Sequence, residues 1–263
     1  MRLEQTTTLL TGATGGLGGA IAVALAEKGS RVVVSGRRAA ELDELAARIG
    51  GRAVAADLST PAGVAALVEA VGPVGVLVAN AALPASGPLL EYEAGQIERA
   101  VTVNLLAPIL LARALAPAMV ERGRGQVVLV SSLAGLTSTE SSSLYNATKF
   151  GLRGFGLGFR QDLHGTGVGV TVVMPGFVRE AGMFADSGAS LPRGVGTSTP
   201  AEVADAVIRA VEEDPAEALV APLPMRLGAR LGGLAPETAA RLARVMGSAA
   251  TAAAVAEGQR RHR

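Results

Sequence analysis

Short runs of Val, Leu, Ile and Thr alternate along this chain with longer segments in which apolar residues recur every three or four positions. The runs are brief and nearly uninterrupted, which suits strands buried on both faces. Strands are predicted at residues 6–11, 31–35, 52–56, 75–79, 126–131 and 168–174, the last stopped by Pro175-Gly176. Helices are predicted at 17–28, 39–49, 61–71, 94–122 and 143–164; in the second, Leu42, Leu45 and Ile49 form one stripe. Pro108 and Pro117 fall within 94–122, so a bend or break is expected there. Strands alternating with helices over short connections predict one α/β domain, a doubly wound parallel sheet of about seven strands with helices on both faces. No linker or repeat divides it, and residues 1–222 are read as the core unit, including a substrate segment at 177–199. Residues 223–263 are read as a helical tail packed on or near the same domain.

Composition narrows the chemistry. Of 263 residues 49% are hydrophobic, enough for a sizeable core, and the net charge of +1 gives no footprint for nucleic acid. With no cysteine there is no disulfide, iron–sulfur cluster or thiolate nucleophile. The two histidines, His164 and His262, cannot build a His- or Cys-rich zinc site, so no metal is expected. The amino terminus enters a strand pattern with no cleavable apolar segment, and no apolar run is long and uninterrupted enough to predict a membrane span. A cytoplasmic protein without membrane association is the expectation.

Thr11-Gly12-Ala13-Thr14-Gly15-Gly16-Leu17-Gly18 lies between the first strand and the first helix. Glycines there let the backbone turn tightly and approach a pyrophosphate, which the helix amino terminus attracts. The alternative is a tight turn with no ligand. At the end of the second strand, where an acid would bind the ribose 2′-hydroxyl of NAD, the chain reads Ser35-Gly36-Arg37-Arg38. Guanidiniums suit a 2′-phosphate, so NADP(H) is expected over NAD(H), although Arg38 could simply open the next helix.

Tyr145 and Lys149 are four apart on a predicted helix and so share a face, with Ser132 thirteen residues before the tyrosine. A free phenol, with a pKa of about 10, is a poor acid or base at neutral pH. A nearby lysine charge would lower that value, and a serine hydroxyl can hold a substrate oxygen beside it. The trio is machinery for moving a proton on or off an alcohol or carbonyl oxygen.

With these motifs in order, the chain resembles the short-chain dehydrogenase/reductase family in its compact form, over roughly residues 6 to 220. The resemblance implies a Rossmann fold and an oxidoreductase interconverting a ketone or aldehyde and an alcohol. Thr11 to Gly18 matches the family's cofactor loop, so Gly12, Thr14, Gly15, Gly16, Leu17 and Gly18 are expected at the cofactor with Arg37 and Arg38. Asp57, with Leu58 beside it, matches the adenine contact, and Asn80, next to Ala81, the asparagine that steadies the sheet. Pro175-Gly176 matches the turn under the nicotinamide, where Val178 would offer backbone contacts. Asn104, Ser132, Tyr145 and Lys149 match the active-site tetrad. By that likeness Tyr145 is the general acid–base and Ser132 orients the substrate oxygen. Lys149 binds the nicotinamide ribose and lowers the tyrosine pKa, and Asn104 holds a relay water. A homodimer or homotetramer, built on helices 94–122 and 143–164, is also implied. Two positions depart from the pattern: Ala82 stands where the family often has glycine, and Glu180 follows Phe177-Val178-Arg179 where a threonine often contacts the nicotinamide.

Other features have plainer expectations. Thr137 to Ser143 is expected to be a polar turn before a capped helix, His164 a surface residue near a helix end, and Phe150, Phe155 and Phe159 core or subunit packing. Met183 to Thr199 resembles the family's mobile substrate cover. Its apolar residues, with Leu83, Leu89 and Leu133, favour an apolar small-molecule carbonyl or alcohol, whereas Arg179, Glu180 or Arg193 would suit a polar one. In the tail, a helix is expected from Glu237 towards Val255. The Leu/Arg pattern at Met225 to Leu234 fits a membrane-surface helix, a cover over the pocket or a subunit contact. A non-catalytic NADP(H)-binding sensor or scaffold, and an epimerase or dehydratase of related fold, are the alternative functions.

Overall fold

A computed structural model describes residues 1–191, 195–245 and 248–260. Seven strands alternate with helices: β1 (Thr7–Thr11), α1 (Gly16–Glu27), β2 (Arg31–Gly36), α2 (Ala39–Ile49), β3 (Arg52–Ala55), α3 (Pro61–Val71), β4 (Val76–Ala79), α4 (Ala94–Val101), α5 (Ala107–Glu121), β5 (Gly125–Val130), α6 (Ser143–Asp162) and β6 (Val168–Pro175). Then come α7 (Met183–Asp186), α8 (Pro200–Glu213), β7 (Glu217–Val220), α9 (Leu223–Leu234), α10 (Pro236–Val245) and α11 (Ser248–Gln259). The strands form one all-parallel sheet in the order β3-β2-β1-β4-β5-β6-β7. Order reverses between β1 and β4, which opens a crevice at their carboxyl ends, the place where open α/β sheets bind ligands.

Successive strand residues point to opposite faces, and both faces are buried. Leu10, Val34, Val78, Val128 and Val173 pack with Ile21, Leu25 and Leu42 and with Val203, Val207 and Val211 of α8. Leu9, Val33, Leu77, Val127 and Leu129 pack on the other face with Leu67, Leu111, Leu115, Met119 and Leu152. A third cluster joins Met225 and Ala229 of α9 to Leu133, Leu136, Val172 and Met174.

Several expectations shift. The helical stretch from Ala94 to Glu121 is continuous, and its irregularity is a π-helical segment at Thr102–Leu106 rather than a break at a proline. Pro108 sits in the first turn of α5, where a missing N–H costs little, and Pro117 lies inside the helix. By length and composition this 28-residue stretch could cross a membrane, contrary to the expectation that no run is long enough, yet half of its most apolar window is buried in the fold. His164 lies just beyond α6, exposed. Ser142 precedes α6 without capping it through its side chain. Phe155 and Phe159 stack at 5.3 Å beside the core, whereas Phe150 is exposed. The tail helix expected from Glu237 towards Val255 is two helices, α10 and α11, and the residues between them, like Arg193 and His262, lie outside the described residues.

Candidate active site

The turn between β1 and α1 is shaped by two glycines. Gly12 adopts φ +67°, and a methyl there would also fall 2.7 Å from the Ala81 Cα. A methyl on Gly18 would overlap the Gly12 carbonyl oxygen, so the start of α1 can lie against the loop only if that position is bare. Gly15 precedes α1 and has no side chain to cap it, which leaves the first N–H groups of the helix without a side-chain partner. Leu17 is half-buried against the core. Asn80 ties this loop to β4: its Nδ2 donates to the carbonyls of Thr11 (3.1 Å) and Gly12 (3.2 Å). Thr11 Oγ1 accepts in turn from the N–H groups of Asn80 (3.2 Å) and Ala81 (3.1 Å).

One end of the crevice is cationic. Arg38 precedes α2, pairs with Glu41 (3.2 Å) and folds back to donate to Thr14 O (2.7 Å) and Thr14 Oγ1 (3.3 Å), so it both opens the helix and braces the glycine loop. Asp57 is held below the usual carboxylate range, first by the Ser59 N–H (3.0 Å) and then by the charges of Arg37 and Arg99. Arg37 and Asp57, just past the ends of β2 and β3, are thus within electrostatic reach of one another. Leu58 is buried in the core and can offer only backbone. A groove of about 670 Å³ starts at Thr14, Gly15 and Gly16 but runs away along α1 towards Glu27 and Arg48, not towards Tyr145.

Ser132, at the end of β5, and Tyr145 and Lys149, on α6, come together at the carboxyl edge of the sheet. The Ser132 hydroxyl lies near enough to the Tyr145 phenol to favour its ionised form; it donates to Pro175 O (3.4 Å) and accepts from Ala134 N (3.1 Å). Lys149 Nζ is buried, donates to Val130 O (3.1 Å) and stands 5.6 Å from the centre of the tyrosine ring. Ser131, just past the end of β5, donates to Lys149 O (3.0 Å). Asn104, 1% exposed within the π-helical segment, accepts from Leu83 N (2.7 Å) and donates to Leu83 O (3.0 Å). Its side chain thus braces Leu83, with one amide N–H and one oxygen lone pair left over.

The electrostatics differ from the expectation of a phenol softened by its lysine. Burial pushes the Tyr145 pKa up, and the Ser132 hydroxyl offsets only part of that. Burial also lowers Lys149 to about 8, because its ammonium has lost water and gained one carbonyl.

Two groups of residues escaped sequence reasoning. Asn146, beside the tyrosine, donates to Ala134 O (2.7 Å) and Thr137 O (3.0 Å) and so pins the loop after Ser132 onto α6. Its only advance signal was a position one residue past Tyr145. The C-terminal helix reaches the substrate segment: Gln259 Nε2 donates to Met183 O (3.3 Å) on α7. Over the crevice, Val178 is buried and bridges to Ser198, and Phe177 lies 4.8 Å from Phe184. Arg179 pairs with Glu180 (3.0 Å), and Ala181 abuts Gly16 of the glycine loop. A methyl on Gly176 would fall 3.3 Å from Leu133 and from Met225, so α9 lies close to the turn that follows β6.

Residues 6–191 match the profile of the family described as short chain dehydrogenase. A ketoacyl reductase, HetN, from Nostoc sp. is 37% identical over 259 residues, covering 93% of this chain and 90% of that protein. The dehydrogenase/reductase SDR family member 7B of Xenopus tropicalis is 32% identical over 256 residues, covering 89% of this chain and 83% of its own. Among solved structures, a short-chain dehydrogenase from Sphingobium yanoikuyae in complex with NADPH superposes with a TM-score of 0.77 at 30% identity, over 89% of this chain and 95% of that one. A single-substitution variant of actinorhodin polyketide ketoreductase with NADPH gives 0.72 at 30% identity, over 82% and 95%. The chain belongs to the short-chain dehydrogenase/reductase family and is an oxidoreductase of C=O and CH–OH groups.

Proposed function

We propose that this protein reduces a ketone or aldehyde on an apolar small molecule with NADPH, Tyr145 giving the proton. The observation that carries the reading is the Ser132–Tyr145–Lys149 cluster at the carboxyl edge of the sheet, one crevice away from a bare glycine loop. The residues around that crevice fit a dinucleotide. Gly12 and Gly18 keep the loop clear of side chains, and Arg37 with Arg38 supplies guanidiniums where a 2′-phosphate would need them. The solved relatives that carry NADPH support the same preference.

NADPH, when bound, supplies the hydride to the carbonyl carbon. The chain's own residues manage the oxygen. A phenol raised above its ordinary pKa stays protonated at neutral pH and can act as an acid towards the developing alkoxide. Ser132, beside that phenol, can donate to the same substrate oxygen and fix its distance. Lys149 can hold the nicotinamide ribose, and its charge compensates the phenolate left by proton transfer. Asn80 and Thr11 keep the glycine loop and β4 in register, while Asn146 holds the loop that carries Ser132. Leu83, Leu133 and Phe184 near the crevice suit an apolar substrate, and the ketoacyl reductase and polyketide ketoreductase among the relatives support a ketone.

Tyr145→Phe tests the reading. Turnover of a ketone panel with NADPH is expected to fall about 10²- to 10⁴-fold, with NADPH affinity by fluorescence titration within a factor of two or so. Retained turnover would remove the tyrosine from the chemistry.

A further inference from the structure

α9 is built inside out. Its inward face is small or flexible: Met225 and Ala229 pack on Leu133, Leu136 and Met174, and Gly232 lies so close to Thr137 that a methyl would fall 2.6 Å from its hydroxyl. Its outward face carries the large aliphatics, spaced four, four and three positions apart: Leu223, Leu227, Leu231 and Leu234, exposed by 63%, 51%, 64% and 83%. A helix that stabilised only this fold would place its leucines inward. Burying small residues against the protein lets α9 lie close to it and leaves a stripe of leucine with nothing over it.

The charges beside that stripe have one sign. Arg226 and Arg230 lie on α9, both exposed, and among the described residues neither makes an ion pair. No acidic residue occurs between Glu217 and Glu237. The packed neighbour α10 adds exposed Arg241 and Arg244. From 218 to 245 there are four arginines against one glutamate.

We propose that α9 is a lipid-docking helix that seats the protein on an anionic membrane surface, leucines in the acyl boundary and arginines at the headgroups. Leucine on one face with arginine at its margin is what an interfacial helix requires, since both the apolar area and the attraction to anionic lipid contribute to binding. A second copy of the same helix suits the patch poorly. A two-fold contact would set Arg226 and Arg230 against their own kind, with no carboxylate in the segment to relieve them. Because Met225 lies beside the turn at Gly176, docking would bring the lipid surface to within one helix of the crevice.

The test uses the full chain and vesicles of phosphatidylcholine with and without about one-third phosphatidylglycerol. Co-sedimentation with the anionic vesicles only, weakened by raised salt, is expected. Arg226→Gln and Arg230→Gln should each weaken it about fivefold. Leu227→Gln with Leu231→Gln should weaken it at least about tenfold, while far-UV circular dichroism and turnover of a water-soluble ketone stay unchanged, both positions being exposed. No sedimentation, or sedimentation that the leucine pair leaves intact, would overturn the proposal. So would a concentration-dependent dimer that the leucine pair abolishes, since a second copy would then be the occupant.

Discussion

Replacing Lys149 by Met should make the protein inactive and more stable. Lys149 is 3% exposed, and burial lowers its pKa from 10.5 to about 8. The unfolded chain holds this proton more tightly than the folded one, so the charged lysine destabilises the fold. The interval between 10.5 and about 8 corresponds to about 3 kcal/mol. The penalty is full below the folded value, falls as pH rises from about 8 towards 10.5, and vanishes above it. Methionine fills a similar volume without charge but leaves Val130 O, now the acceptor at 3.1 Å, without its donor, a loss of about 1 kcal/mol. The net gain at pH 7 is then about 2 kcal/mol, or roughly 4 °C in Tm for a chain of this length. Differential scanning fluorimetry of both proteins without ligand, at pH 7 and again near pH 10, provides the readout. The variant's advantage should shrink by more than half between the two. A variant less stable than the parent at pH 7, or an advantage indifferent to pH, would refute the reasoning.

Other outcomes follow from the same geometry. Arg37→Ala should raise the KM for NADPH about 10- to 100-fold and leave that for NADH nearly unchanged; equal effects on both would deny Arg37 a 2′-phosphate. Gly18→Ala forces a methyl into the Gly12 carbonyl, and a cost of about 1–3 kcal/mol should lower Tm by several degrees and weaken coenzyme binding, as thermal melts and NADPH titration would register. The kcat/KM of ketone reduction should fall as pH rises through about 8, where Lys149 loses its charge while Tyr145, with its pKa raised, keeps its proton. Lys149→Arg should carry that descending limb to higher pH, and an unmoved limb would detach it from this residue. Asn146→Ala should lower kcat more than it raises KM, because it loosens the loop bearing Ser132; a pure KM effect would argue otherwise.

What could be read in advance depended on where each residue finds its partner. Six strands stood out because a strand buried on both faces must be apolar at every position, as Val76 to Ala79 is. The seventh, Glu217-Ala-Leu-Val220, was not located, although β3, the four-residue strand at the opposite edge and the more exposed of the two, was; burial alone does not separate them. α8 was also passed over, although Thr199 and Glu202 form a reciprocal capping box in front of it, a signal that was available. Gly12 to Gly18, Ser132, Tyr145 and Lys149 were legible because side-chain type and spacing mark them. Asn146 was not, since its bonds run to the backbone carbonyls of Ala134 and Thr137, which carry no sequence signature. The sign of the Tyr145 shift was missed for a related reason. Spacing announces a neighbouring charge, but the enclosure that outweighs it arises only when Ala85 and Ala100, from a loop and from α4, pack beside the ring on α6.

A helix made late in the chain covers the first. Val203, Val207 and Val211 of α8 lie in the same cluster as Ile21 and Leu25 of α1. On a translating ribosome, α1 therefore emerges almost two hundred residues before its lining does. Until residue 213 has cleared the exit tunnel, a sticky strip on the earliest-made part of the chain stays open to holdase chaperones. Nascent chains cut between α7 and α8 should remain bound to such chaperones, and those extended through α8 should let go.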